Sequence, residues 1–258
     1  MNMEAFRVDA LSVETHPTHD QMAAAAATAV ADGLRQAITQ HGRARVIFAS
    51  AASQTRFLEM LTRDHTVDWG RITGFHMDEY LGIDPVHPAS FRRFLRERLT
   101  SRVRFETFEF IQGEAEEPLK ECDRYTARLQ AAPIDLCVMG IGENGHIAFN
   151  DPPVADFEDP RVVKLVALDK ACRLQQVGEG AFPSLEVVPR YAYTLTVPAL
   201  CAARRLVCVV PESRKADAVR QTLQGPISTV CPASVLRRQP HATLYLDADA
   251  AAGLSGMG

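Results

Sequence analysis

The stretch Ile134-Asp-Leu-Cys-Val-Met-Gly-Ile-Gly-Glu-Asn-Gly-His-Ile-Ala-Phe-Asn-Asp-Pro-Pro153 decides the fold. Leu136 to Met139 is a short apolar run, the pattern of a strand buried on both faces. Three glycines, Gly140, Gly142 and Gly145, follow within six residues. A buried strand that breaks into a glycine-rich turn delivers backbone N–H groups and side chains to one end of a parallel sheet. Open α/β sheets bind ligands at that end. His146 sits at the lip of the turn, with Glu143 and Asp151 near it in sequence. An imidazole held beside a carboxylate moves protons near neutral pH.

Outward from this turn, strands alternate with helices. Arg45 to Ser50 and Ile72 to Met77 read as strands before it, and Tyr193 to Val197, Leu206 to Val210 and Thr243 to Leu246 as strands after it. Residues 20–40 are Ala-rich and stop at Gly42, the pattern of a helix with a glycine at its C-terminal end. Further helices are expected from about Gln54 to Thr62, from Pro88 to Leu99, from Glu114 to Ala131 and from Ser213 to Leu223. The alternation predicts an α/β fold: a three-layer, mainly parallel Rossmann-like sheet with helices on both faces. The whole chain, 1–258, reads as one domain. The weakest periodicity lies in 152–189, expected to form a mobile flap over a site.

Composition narrows the classes of function. Hydrophobic residues make up 47% of the chain, enough for a sizeable core, while a net charge of −4 gives no general attraction to nucleic acid or anionic membrane. No apolar run approaches the roughly 18 residues of a membrane span. Met1 to Thr15 lacks a basic-then-apolar signal pattern. The six cysteines, Cys122, Cys137, Cys172, Cys201, Cys208 and Cys231, show no CxxC spacing. Reduced, structural thiols and a cytoplasmic location are therefore expected, rather than disulfides or a zinc site.

Three groups are candidates for chemistry, and each follows a predicted strand. In Ser50-Ala51-Ala52-Ser53-Gln54, two hydroxyls and the N–H groups of a helix start suit a phosphate, but Ser53 reads equally as a simple helix cap. In His76-Met77-Asp78-Glu79-Tyr80, a carboxylate at a strand end is placed to take a proton from a bound substrate, or the two acids are only capping or solvated. The third group is Glu143-Asn144-Gly145-His146 with Asp151. Neither a zinc-ligand spacing nor a GxSxG nucleophile turn accompanies it. What remains is acid/base chemistry by His and Asp, without metal or covalent intermediate.

Met77-Asp-Glu-Tyr80, His87-Pro88, Ser90-Phe91 and Gly140-Ile-Gly-Glu-Asn-Gly-His-Ile-Ala-Phe-Asn150 together resemble the glucosamine-6-phosphate deaminases, over nearly the whole chain. These belong to a wider superfamily with the 6-phosphogluconolactonases. The resemblance implies a deaminase with hydrolase and isomerase character, acting on a hexosamine 6-phosphate with no cofactor and no metal. Asp78 would move a proton between C2 and C1 of the opened sugar, and His146, flanked by Asn144 and Asp151, would help open the ring. Lys215, Ser50 and Ser53 match phosphate-binding positions. A small-molecule sugar phosphate is the implied partner, with no nucleic acid or membrane; a homo-oligomer is compatible with it. A 6-phosphogluconolactonase-type hydrolase and a non-catalytic phosphosugar-binding regulator stay open as alternatives.

The chain also departs from those proteins. Ser50 to Gln54 stands where they usually have Thr-Gly-(Ser/Gly)-Thr-Pro, and alanine is poorer than glycine where φ is positive. Weaker or rearranged phosphate binding is the expectation. Asn144 replaces an aspartate, and Asp151 replaces a common glutamate. Gln176 falls where a phosphate-binding arginine is frequent, with Arg173 three residues earlier as its expected substitute on a helix.

Overall fold

The computed structural model describes residues 3–178 and 180–254. In chain order the strands are β1 (Glu4–Val8), β2 (Leu11–His16), β3 (Ala44–Phe48), β4 (Ile72–His76), β5 (Asp78–Tyr80), β6 (Thr107–Glu109), β7 (Leu136–Met139), β8 (Val163–Ala167), β9 (Tyr191–Leu195), β10 (Arg205–Val210) and β11 (Ala242–Asp247). The helices are α1 (His19–His41), α2 (Thr55–Leu61), α3 (Phe91–Leu95), α4 (Pro118–Gln130), α5 (Lys170–Gly178), α6 (Val197–Cys201) and α7 (Ala216–Gln224). A wide turn of helix over Arg96–Thr100 prolongs α3. Pro88 precedes this helix rather than opening it, and Ser90 caps it by accepting the Arg93 N–H.

Eight strands form one sheet in the order β1-β2-β11-β10-β7-β3-β4-β6, parallel except for the β1–β2 hairpin at one edge. The chain builds outward from β3 through β4 to β6, then returns to β7 on the other side of β3 and continues to β10 and β11. The order reverses between β3 and β7, which opens a crevice above their carboxyl ends.

Alternation along the central strands fills both faces. Val46, Phe48, Val138, Val207 and Val209 pack with α1 and α2, whereas Ile47, Cys137, Met139, Leu206 and Cys208 pack with α4, α6 and α7 on the other side. Each such side chain contributes roughly 1.5–3 kcal/mol on burial. The small residues of α1 let it lie close to the sheet: a Cβ on Gly33 would come within 2.8 Å of Leu136 Cδ2. Thr18 caps the start of α1, and Gly42 closes it in the left-handed conformation, φ 75°, with its N–H on Ile38 O.

The strand expected at Tyr193–Val197 in the main sheet is Tyr191–Leu195, with Val197 opening α6, and it is the middle strand of a second, antiparallel sheet, β5-β9-β8. Asp78 leads its first strand. The stretch 152–189 carries β8, α5 and a turn of 3₁₀-helix at Leu185–Val187, and it buries Val163, Cys172, Phe182 and Val188. Its packed residues thus form a wall of the molecule. Among the described residues, no helix is long and apolar enough to cross a membrane.

Candidate active site

Because β3, β4, β7 and β10 run parallel, the segments that leave them meet at one edge. They line a single cleft with Ser50, Ser53, Asp78, Gly140, Gly142, His146, Arg214 and Lys215, closed from α5 by Gln175 and Gln176. Each of the three candidate groups contributes to its lining: Ser50 and Ser53, Asp78, and His146.

Beyond β3, Ser50 is 6% exposed and its Oγ has no hydrogen-bond partner among the described residues, which leaves the hydroxyl facing the cleft for a ligand. Ser53 makes no side-chain cap: neither the 3₁₀ turn Ala52–Gln54 nor α2 has a side-chain hydrogen bond at its N-cap. The cap reading of Ser53 therefore fails. Ala51 is extended, φ −130° and ψ 154°, and Ala52 has no positive φ. Alanine thus carries no φ strain in this loop.

Beyond β4, two adjacent carboxylates have opposite surroundings. Glu79 is fully buried, and its oxygens accept the N–H groups of Tyr80, Phe91 and Arg92 and the Ser90 hydroxyl, at 2.9–3.1 Å. It joins β5 to the start of α3, a structural task. Asp78 lines the cleft, and no hydrogen bond reaches its carboxylate among the described residues. Burial, with the charge of Glu79 added, pushes its carboxyl well above the usual range. Loss of solvation disfavours the anion, so the ionised group is a strong proton acceptor.

Beyond β7, His146 Nδ1 lies 2.8 Å from Asn144 Oδ1 and 3.0 Å from Asp151 Oδ1, and Asn144 Nδ2 donates to Asp151 Oδ1 at 2.8 Å. With Nδ1–H donating inward, Nε2 is the nitrogen that exchanges a proton. Burial acts to raise the Asp151 carboxyl, but the contacts of His146 and Asn144 with it, and the charge on His146, bring it below its ordinary value. A Cβ on Gly142 would fall 2.1 Å from His146 Cε1, so only glycine lets the imidazole lie over this turn. Gly145 adopts φ 84° against Cys231, and Ala148, which lines the cleft, is held at φ 49°. Such backbone strain collects at ligand sites.

Beyond β10, Lys215 is 5% exposed and faces the cleft. Arg173 is not part of the group. Its guanidinium donates to Leu185 O and Val188 O, and it does not line the cleft. On the same helix Gln176 does, with its Oε1 accepting the Tyr80 hydroxyl at 2.7 Å. The expected substitute for an arginine is therefore corrected: α5 turns position 173 toward the 185–188 loop. Arg214 was missed, although it stands beside Lys215 in sequence.

His146 Nδ1, the Asp151 carboxylate and Cys172 Sγ lie within 4.8 Å of one another, a spacing that a metal ion could bridge. The same nitrogen and oxygen are already hydrogen-bonded, and burial drives the Cys172 thiol far above its ordinary value, opposing the thiolate that a metal needs. Hydrogen bonding accounts for this cluster better than metal ligation.

An open, mainly parallel α/β sheet with a polar cleft at its switch point is the class that these features define. The family model for glucosamine-6-phosphate isomerases/6-phosphogluconolactonase matches residues 17–245, and the chain belongs to that family. A glucosamine-6-phosphate deaminase of Exiguobacterium sibiricum is 34% identical over 222 residues, 86% of each chain. One from Pseudarthrobacter chlorophenolicus is 31% identical over 87% of this chain and 86% of its own. The solved structure of a monomeric glucosamine-6-phosphate deaminase superposes with a TM-score of 0.84 at 27% identity, covering 93% of this chain and 99% of that one. A 6-phosphogluconolactonase from Shewanella baltica shares the fold, with a TM-score of 0.74 at 18% identity over 95% of this chain and 99% of its own.

Proposed function

We propose that the protein is a deaminase that converts glucosamine 6-phosphate and water to a ketohexose 6-phosphate and ammonia. The observation that carries this reading is the cleft itself. It sets an unpaired, buried carboxylate, Asp78, in one wall with a hydrogen-bonded His146–Asp151 pair and a buried lysine, Lys215.

His146, through Nε2, protonates the ring oxygen and opens the pyranose. Asp78 then removes the C2 proton of the open aldose and returns it to C1. The C2–H electron pair moves toward the C1 carbonyl, whose oxygen takes up a proton, giving an enolamine. The nitrogen lone pair then forms the C2=N bond, the amine gives up a proton, and C1 takes the proton returned by Asp78 to become a hydroxymethyl group. Water adds to the imine carbon and ammonia leaves. The shift is internal to the sugar, and in this reading it needs neither cofactor nor metal. Asp151, with Asn144, fixes the imidazole and stabilises its charged form. Lys215, the Ser50 and Ser53 hydroxyls and the N–H groups near Gln54 hold the phosphate. Deaminase describes this sequence of steps better than a hydrolase or isomerase label alone.

Ammonia release from a panel of amino-sugar phosphates, gluco and galacto epimers included, tests the reading. Stoichiometric ammonia and ketose phosphate from glucosamine 6-phosphate is the expected result. Acid formed from 6-phosphogluconolactone, with no ammonia from any amino sugar, would assign a lactonase instead. Sugar-phosphate binding with neither product would leave a binding protein.

A further inference from the structure

We propose that Arg214 is the second phosphate-binding cation of the cleft, the role that the sequence had suggested for Arg173. The proposal rests on the sugar-phosphate reading above and adds to it the residue that completes the charge.

A phosphate monoester carries about −1.5 to −2 at neutral pH, so Lys215 alone leaves much of it unmatched. Arg173 is held by backbone carbonyls outside the cleft. Among the described residues that line the cleft, the only Lys or Arg side chains are Arg214 and Lys215.

The turn that delivers them is strained and held in place by a buried carboxylate. Glu212 holds φ 80° and ψ 143°, a conformation that side chains other than glycine rarely adopt. Its N–H donates to both oxygens of Asp247, at 3.1 and 3.0 Å; Asp247 is itself 3% exposed and also accepts the Ala250 N–H at 2.8 Å. Strain held in place by a buried carboxylate is a feature of ligand-binding turns.

Arg214 stands at the cleft mouth with 35% of its side chain exposed. Its Nε donates to Glu212 Oε2 at 2.6 Å, and its Nη1 lies 3.8 Å from Glu143 Oε1. The guanidinium therefore spans the strained turn and the loop that carries Asn144 and His146. A guanidinium offers five donors in a planar fork, so it can bind phosphate oxygens while keeping Glu212. Of these two contacts, the longer one to half-exposed Glu143 is the weaker.

The test uses the full chain with inorganic phosphate as the calorimetric probe and glucosamine 6-phosphate as the kinetic one. Arg214→Ala is expected to weaken phosphate binding by about 10- to 100-fold, the range for one charge-assisted hydrogen-bonding group. KM should rise in proportion, while kcat stays within about threefold. Arg214→Lys should recover part of the loss, and Arg220→Ala, which removes an exposed charge on α7, should change neither constant.

Phosphate affinity within twofold of wild type in both Arg214 variants would overturn the proposal. So would an equal loss in Arg220→Ala, or a wild-type protein that does not bind phosphate. If Arg214→Ala does not fold, Arg214→Gln is judged by the same limits. A wild-type protein that binds phosphate yet releases no ammonia defeats the proposed reaction alone, and the calorimetry still decides Arg214.

Discussion

Asp78→Asn gives the sharpest test, because the structure makes it both an activity and a stability experiment. The carboxylate is buried, faces the cleft and accepts no hydrogen bond among the described residues. Its replacement by an isosteric amide removes the basic lone pair and little else. A general base contributes roughly 10²–10⁴-fold, which at about 1.36 kcal/mol per tenfold is about 2.7–5.4 kcal/mol of barrier. Stability should move the other way. The folded carboxyl lies well above its ordinary value of 3.8, so the folded state binds more protons than the unfolded state between the two. Stability conferred by the protonated form is then present below the unfolded value and lost as pH rises through the folded one, at about 1.36 kcal/mol per pKa unit. Above its unfolded value the buried Asp78 carboxyl is therefore a cost that the asparagine variant lacks. Steady-state ammonia release and thermal unfolding at pH 4 and pH 7 would be measured on both proteins. The variant should lose at least a hundredfold in kcat, and its melting temperature relative to wild type should rise from pH 4 to pH 7. Wild-type turnover would refute the catalytic role, and a pH-independent difference in melting temperature would refute the account of burial.

His146→Gln should slow turnover of closed-ring substrate most, and an open-chain analogue slowed equally would remove the ring-opening role. Asp151→Asn should lower kcat by on the order of 10²-fold or more. Because the folded Asp151 carboxyl lies below its ordinary 3.8, it adds stability above that value which is lost as pH falls through the folded one; the variant's acid unfolding curve should be flatter there. Gly142→Ala places a methyl within 2.1 Å of the imidazole. It should therefore displace His146 and reduce kcat at least tenfold, an order of magnitude consistent with misplacing a catalytic group, with a circular dichroism spectrum unchanged from wild type.

Much of the main sheet and the position of the cleft were legible in the sequence because their signals are local. A run such as Leu136–Met139 is apolar because both of its faces are covered, and that shows in four consecutive residues. The stop of α1 shows in Gly42 for the same reason. The rest depends on partners distant in the chain. β5, β8 and β9 are short, and they become strands by pairing with one another, β5 with β9 across more than a hundred residues and β8 with β9 across a loop and helix α5. Phe182 and Val188, in a segment of weak periodicity, are buried by an aromatic cluster around Tyr80. Sequence placed Asp78 and Glu79 side by side without separating them; the start of α3 supplies the donors that occupy Glu79 and leaves Asp78 open. Arg173 and Arg214 were equally cationic as letters. Which of them meets the cleft follows from the facing of α5 and the Asp247-held turn at Glu212, and both are set by packing rather than by neighbours in sequence.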